Sequence, residues 1–479
     1  MQYTSDILAG MDAAIKDGVY VISLSIVGPS TNLSDEPISI GSCVCVRWEP
    51  GNDGPDSCTA NNLAPWVIAV GASSINRRFP TQVVLGHNQG IYVDISLYLG
   101  QNMAAGSFGP LVYGDNAGSS TCENGKLFPN RVTGKMVLCY GTKNTSPIDQ
   151  ETAIRQAGGI GAIISTRHEY GDSFESSVDI LRADGNTIYA YTQRVVNPVA
   201  RIDFYNTVIS QSPSALRVTT FSTSRAVDRT SLLGRSSRPI DMISPRVDML
   251  AAWTNATSPY TEFIIISGTS MACPHVSGIA AMLKVARPNW SPVVVKSALM
   301  TMAMPSNLRT SAINGQPVGP LDHPNRALDP GLMYDATADD YINFLCGLGY
   351  TPNQTAQFTG TPIDCSTRRR KAVGDLNYPA FSMVFGRSGG QVTQRRRVTN
   401  VGANTNAVYK VVSFVEPPGT TLVRVAPSSL TFDAQSKTLG YEVTLSAGPP
   451  NNWPQYSWGW IEWSDGRHHV RSPVISIWE

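Results

Sequence analysis

The stretch "IISGTSMACPHVSG", residues 265–278, sets two hydroxyls, Thr269 and Ser270, directly behind Gly268, where an apolar run ends. A serine so placed can attack a carbonyl carbon, provided that a base takes its proton and donors hold the charge developing on the oxygen. Pro274 marks the start of a helix, because first-turn N–H groups have no intrahelical partner for a proline to lose. The positive end of that helix favours negative charge beside Ser270, and Gly268 allows close backbone approach. The chain has six histidines that could serve as the base. His275, five residues after Ser270, reads as a packing residue. His87 and His168 have no motif around them, and His323, His468 and His469 fall in the C-terminal third.

The elements that must position Ser270 follow from the apolar rhythm. Residues 5–17 read as an amphipathic helix, with Ser5 or Asp6 as cap, Ile7, Leu8, Met11 and Ile15 on one face, and Gly18 as terminator. Residues 19–26 and 65–73 read as buried strands, so residues 1–106 predict a parallel α/β sheet. Between about 107 and 215, short β runs ("GPLVYGD", "GKMVLCY", "GIGAIIST") alternate with glycine turns and one helix at "ETAIRQAG", which predicts an inserted α/β module. The run "SPVVVKSALMTMA" predicts a helix over 291–303, with Ser291 as N-cap and Pro292 as first residue. From about 375 the pattern is all β and predicts a small antiparallel sandwich, with Asp465-Gly466 as a tight hairpin turn.

Composition narrows the function classes. Hydrophobic residues make up 42% of the 479 and charged residues 15%, enough for sizeable cores and several domains. Lys plus Arg (37) balance Asp plus Glu (36), which disfavours nucleic acid and anionic membranes as partners. The runs Arg368–Lys371 and Arg395–Arg397 read as a solvated loop and a solvated strand edge. No run is long and apolar enough for a membrane span, and the first residues have no signal-peptide pattern. The eight cysteines lack metal-ligand spacing, no acidic loop suits calcium, and no cofactor is expected. Cys122/Cys139 and Cys346/Cys365 are close enough in sequence to close small loops. Sequons beginning at Asn32, Asn144, Asn255, Asn289 and Asn353 lean with them toward an extracellular setting, the fourth weakened by Pro292.

"GTSMACPHVSG" resembles the catalytic-serine motif of the subtilases, the subtilisin-like serine endopeptidases. "SDILAGMDAAIKDGVYVISLSI", "GNDGP", "NLAPWVIAVGAS", "DMLAAW", "NWSPVVVKSALMTMA", "ALDPGLMYD", "DLNYPAFS", "VTNVG" and "WSDGRHHVRSP" follow the order of plant-type members along essentially the whole chain. The resemblance implies a subtilisin-like peptidase domain over 1–106 and 216–374, a protease-associated insert over 107–215, and a fibronectin type III-like domain over 375–479. It implies Ser270 as nucleophile, supported by Gly268 and Thr269, and Asn52 in "PGNDGP" as oxyanion-hole donor. It also implies Ser25, Ile26, Val27 and Gly28 as a substrate-binding edge, protein or peptide substrates, and an extracellular (apoplast or cell wall) location.

The sequence departs from the family at four places. Val27 stands where the family has glycine, and Pro245-Arg246 where it has Pro-Gly. The segment "SCVCVRWEP" before "GNDGP" is about half a dozen residues short. The triad Asp and His motifs, which precede the serine in the family, belong ahead of "SDILAGMD". The expectation is therefore a chain truncated at its front, serine endopeptidase by family and crippled without its base. A remnant acting as a binding protein is the alternative. A third reading, with Asp322/His323 or Asp465/His468 serving the serine of a G-x-S-x-G-like elbow, fits the order of the other motifs poorly.

Overall fold

A computed structural model describes residues 4–26, 33, 36–42, 46–48, 64–86, 90–93, 107–142, 145, 147–166, 177–205, 207–209, 225–226, 238–239, 241–245, 247–253, 262–302, 324–368, 372–450 and 456–478. Two compact units emerge. The first comprises Met1–Ser74, Leu216–Arg246 and Gly268–Glu479, and the second Ile75–Ala215 and Val247–Ser267.

In the first unit, helix α1 (Thr4–Lys16) leads to strand β1 (Ile22–Leu24), which opens a parallel sheet with β2 (Val46–Trp48), β3 (Ile68–Ser73) and β4 (Met242–Pro245), in that order. The sequence reading is corrected in detail. Ser5 and Asp6 lie inside the first turn of α1 rather than at its cap, and the first strand is three residues rather than eight. Gly18 does end the helix, at φ 77°, a left-handed conformation that glycine adopts without penalty. A parallel sheet is covered on both faces, and all six residues of β3 are accordingly buried. Helices α2 (Thr269–Ala286) and α3 (Pro292–Met302) cover one face: Ala272, Val276, Ala280 and Leu283 of α2, with Val295 and Leu299 of α3, share one core with Ile68, Val70 and Met242. Ser291 caps α3 as expected, its Oγ accepting from Val294 N at 3.2 Å.

The same core continues into a sandwich. One sheet orders β5 (Leu332–Met333), β7 (Gly390–Asn400), β11 (Thr438–Ala447) and β9 (Thr420–Ala426). The other orders β6 (Phe381–Phe385), β13 (His469–Trp478), β12 (Tyr456–Ser464), β8 (Val408–Val415) and β10 (Ser429–Thr431). Alternating side chains such as Phe381, Tyr409, Tyr441, Val443 and Trp463 fill the space between. Strand β5 precedes the rest of the sandwich by nearly fifty residues and pairs antiparallel with β7, Leu332 opposite Asn400. Just after it, the buried Tyr334 hydroxyl meets Tyr441 OH at 2.6 Å and Ser472 Oγ at 2.7 Å. Helices α4 (Ala338–Gly347) and α5 (Pro352–Thr359) each begin with a capping box, at Thr337/Asp340 and Thr351/Gln354.

Two local expectations change here. The loop between β12 and β13 has four residues, 465–468, rather than two. Asp465 Oδ1 accepts the backbone N–H groups of Arg467 (2.9 Å) and His468 (2.7 Å), and Gly466 takes φ 90°. The arginine run of β7 does lie at an edge of the ladder, but it is not simply solvated: β11 pairs with it on one side, and on the other the side chains of Asp375 and Asn377 accept the N–H groups of Arg395 (2.9 Å) and Arg397 (2.8 Å). Strand alternation turns Arg396 inward, where it donates to the carbonyls of Tyr378, Gly374, Arg395 and Ala380. Burial lowers its guanidinium to about 10. Arg395 and Arg397 point out to carboxylates, Asp375 with Glu442 and Asp340 respectively. In the loop run, Arg368 pairs with Asp339 at 2.6 Å, and residues 369–371 lie outside the described residues.

The second unit is built on a seven-stranded sheet in the order Ser177–Leu181, Gly161–Thr166, Met136–Tyr140, Gly109–Tyr113, Val199–Phe204, Thr81–Leu85, Gly90–Val93. The first four strands run parallel and the last three pair antiparallel. Helices Pro147–Gln156 and Arg182–Arg194 cover it, and Cys122–Cys139 closes a loop within it (Cα–Cα 5.8 Å). The unit begins ahead of residue 107 and takes in the strands at 81–85 and 90–93. Cys346–Cys365 forms in the first unit, with Cα atoms 5.3 Å apart.

Candidate active site

Ser270 stands in the first turn of α2, the longest helix among the described residues, which follows a strand ending at Ile266. Gly268 is the N-cap and offers no side-chain cap. Its backbone is extended (φ 166°), a conformation open to any residue, so the glycine is not required by a positive φ. Space is what it gives: a β-carbon there would sit 3.2 Å from Met271 Sδ. Thr269 is fully buried beside it, and Ser270 is partly accessible.

Pro274 departs from the expectation of a first-turn residue. It lies within α2, five positions past Thr269, and the helix continues through it to Ala286. Proline there withholds the N–H that would bond the carbonyl four residues back, which is that of Ser270. That carbonyl instead accepts from Ser25 Oγ at 3.2 Å, a residue just beyond the end of β1. Cys273, buried and not disulfide-bonded, has its Sγ 3.7 Å from Leu24 O and 3.6 Å from Ser23 Oγ. Of the expected substrate edge, Ser25 thus meets the helix that carries Ser270, whereas Ile26 packs, partly buried, into the separate core around Met11 and Leu345. Val27, Gly28 and the oxyanion candidate Asn52 lie outside the described residues, as does Arg246.

The described histidines are engaged elsewhere. His275 is exposed rather than packed, and its Nδ1 donates to Met271 O at 2.7 Å, since a carbonyl can only accept. His468 lies between two carboxylates, with Nδ1 2.9 Å from Asp465 Oδ2 and Nε2 3.1 Å from Asp329 Oδ2. Burial works against its charge, but the two carboxylates outweigh it and raise its pKa. Burial likewise opposes ionisation of Asp465, yet the bonds from His468 and two backbone N–H groups hold it down to about 2. His469 bonds Glu462 at 2.6 Å. His87, His168, Asp322 and His323 lie outside the described residues.

A polar cluster that the sequence reading missed lies behind the sheet. Lys296 of α3 sits 2.9 Å from Asp241 Oδ2, with side-chain exposures of 4% and 2%. Its Nζ also donates to Pro65 O at 3.2 Å and to Val67 O, and lies 4.4 Å from the Tyr378 ring centroid. Asp241 accepts Ala69 N at 2.9 Å and the Tyr378 hydroxyl. The available signal was a lysine inside the apolar run "VVVKSALM", where a charge is tolerated only with partners.

A parallel sheet with Ser270 in the first turn of a covering helix, followed by a β-sandwich, is the arrangement expected of subtilisin-like peptidases with a fibronectin type III-like end. The chain belongs to the subtilase family: residues 2–349 match the Subtilase family, and residues 375–476 match a Fibronectin type-III domain. Among its relatives in Arabidopsis thaliana, subtilisin-like protease SBT1.4 is 37% identical over 515 residues, covering 99% of this chain and 65% of the relative. Subtilisin-like protease SBT1.6 is 38% identical, covering 98% and 66%, and SBT1.5 is 37% identical, covering 99% and 66%. The chain thus spans slightly less than two thirds of the length of these relatives. Among the described residues, no helix is long and apolar enough to cross a membrane.

Proposed function

We propose that this chain carries the nucleophile portion of a serine endopeptidase that cleaves protein or peptide substrates through an acyl-enzyme on Ser270. The observation that supports this most is the placement of Ser270 in the first turn of an 18-residue helix, with its carbonyl held by Ser25 at the end of β1. Ser270 Oγ attacks the scissile carbonyl, and the oxyanion forms where the helix start is positive. Collapse expels the amine and leaves an ester on Ser270, which water then hydrolyses. In this reading Asn52 donates to the oxyanion, and Ser25 to Gly28 line the substrate backbone, with Val27 restricting the approach that glycine would allow. The second unit corresponds to a protease-associated insert, and the protein works outside the cell.

The proton of Ser270 needs a base. His275 is committed to the Met271 carbonyl and His468 to two carboxylates. Neither serves as the base in this reading, so the 479-residue polypeptide is slow unless another Asp and His pair serves Ser270. Removing triad members leaves only about 10³–10⁴-fold over water. The test is labelling by a fluorophosphonate probe. The polypeptide alone is expected to label no faster than Ser270→Ala, whereas a longer form that carries the family's triad Asp and His motifs is expected to label at Ser270. Rapid Ser270-dependent labelling of the short form would show that the base is within it. Labelling of the long form at any other residue would refute the assignment of Ser270.

A further inference from the structure

Helix α2 passes through a proline without breaking, and the way it does so involves the nucleophile's own backbone. In an uninterrupted helix the N–H of residue 274 would bond the carbonyl of Ser270. Pro274 has no N–H, and its ring crowds that same carbonyl, a defect that destabilises a helix when nothing compensates it. The Ser25 hydroxyl fills the place at 3.2 Å. One turn on, the contacts repeat with the neighbouring residues of the same strand: Cys273 Sγ reaches Leu24 O (3.7 Å) and Ser23 Oγ (3.6 Å). Ser277 Oγ then donates to Cys273 O at 2.9 Å. Ser23, Leu24 and Ser25 therefore hold the opening of α2 on the stretch that carries Ser270.

We infer that Ser25 is a positioning residue whose hydroxyl replaces the hydrogen bond Pro274 withholds from the Ser270 carbonyl, and so fixes the turn on which the nucleophile stands. Its meaning for catalysis rests on the reading of Ser270 as nucleophile; the bond itself does not. Ser25 lies one residue beyond β1, which is paired along its length with β2, so the donor comes from the edge of the sheet rather than from the helix. Ser25 also belongs to the expected substrate edge, so one residue ties the attacking group to the strand beside which a peptide would lie.

The bond can be read directly in the 479-residue polypeptide. With carbonyl-labelled serine and amide-labelled methionine, only two pairs report, Ser270–Met271 and Ser382–Met383. Ser25→Ala is expected to move the Ser270–Met271 signal in the direction of a lost hydrogen bond and to leave Ser382–Met383 in place, which serves as the check on folding. Ser25→Thr, which keeps the hydroxyl, is expected to restore the position. Adding Pro274→Ala to Ser25→Ala returns an N–H at the right place and is expected to restore it too. Unfolding provides a second reading. Ser25→Ala should lower the folding constant about fivefold beside Pro274 and less than about twofold beside Ala at 274, the size of one neutral hydrogen bond. An unmoved Ser270–Met271 signal, or a shift that Pro274→Ala leaves uncorrected, overturns the proposal. Both readings are independent of labelling chemistry, so failure of Ser270 as nucleophile and failure of Ser25 as its support are told apart.

Discussion

Replacing Lys296 by methionine removes a charge and little volume from an ion pair whose side chains are 4% and 2% exposed. The magnitude follows from what is left behind. Asp241, with 2% of its side chain exposed, would keep the Ala69 N–H and the Tyr378 hydroxyl and lose the ammonium at 2.9 Å. The carbonyls of Pro65 and Val67 would lose a donor as well. Breaking a buried pair from one side costs about 3–5 kcal/mol, and burying the methionine thioether offsets about 1 kcal/mol of that. The net expectation is a loss of about 3 kcal/mol, or roughly two orders of magnitude in the folding constant. Denaturant unfolding followed by tryptophan fluorescence measures it, since Trp66 lies near the cluster and Trp463 lies in the sandwich core. Lys296→Met with Asp241→Leu removes both charges and should cost less than the sum of the single changes. A single-variant loss below about 1 kcal/mol would refute the argument, because it would mean that the carboxylate is not held in a site requiring a cation.

His468→Gln should make stability less dependent on pH. The folded pKa of His468 is raised, so its contribution is fully present below the unfolded value of about 6.5 and fades as pH rises through the folded one. The difference in melting temperature between parent and variant should therefore be larger near pH 5.5 than near pH 8, and the opposite order would exclude the two-carboxylate account. Gly331→Ala should cost about 2 kcal/mol or more: φ is 74°, and a β-carbon would meet Tyr409 OH at 2.4 Å and His468 Cβ at 2.8 Å. Denaturant midpoints check it, and an unchanged midpoint would mean that the β5 approach opens freely.

What the sequence disclosed was local chemistry. Ser291 before Pro292 reads as a helix start because cap and proline act within four residues, and the bond from Val294 N bears that out. Gly18 reads as a stop for the same reason. Pro274 misled because its compensation comes from Ser25, 245 positions from Ser270 in the chain. The arginine run was half legible: it lies at an edge, but composition cannot say that Asp375 and Asn377 cover that edge or that alternation turns Arg396 onto the carbonyls of Tyr378 and Ala380. The Lys296 cluster joins residues from four distant stretches, at 65–69, 241, 296 and 378, so no window along the chain contains it. Motif order carried the family, since those strings recur as strings.

Strand β5 has a consequence for how the protein is made. A ribosome delivers Leu332 and Met333 well before their partners Asn400 and Thr399, and both are essentially buried in the finished fold. Until the later segment emerges, the earlier two-residue strand has an unsatisfied ladder and two bare apolar side chains, the conditions under which nascent chains attract wrong partners. The sandwich is therefore a late-arriving lid for a strand already waiting. Its synthesis sets the moment when the earlier part of the polypeptide becomes safe from its neighbours.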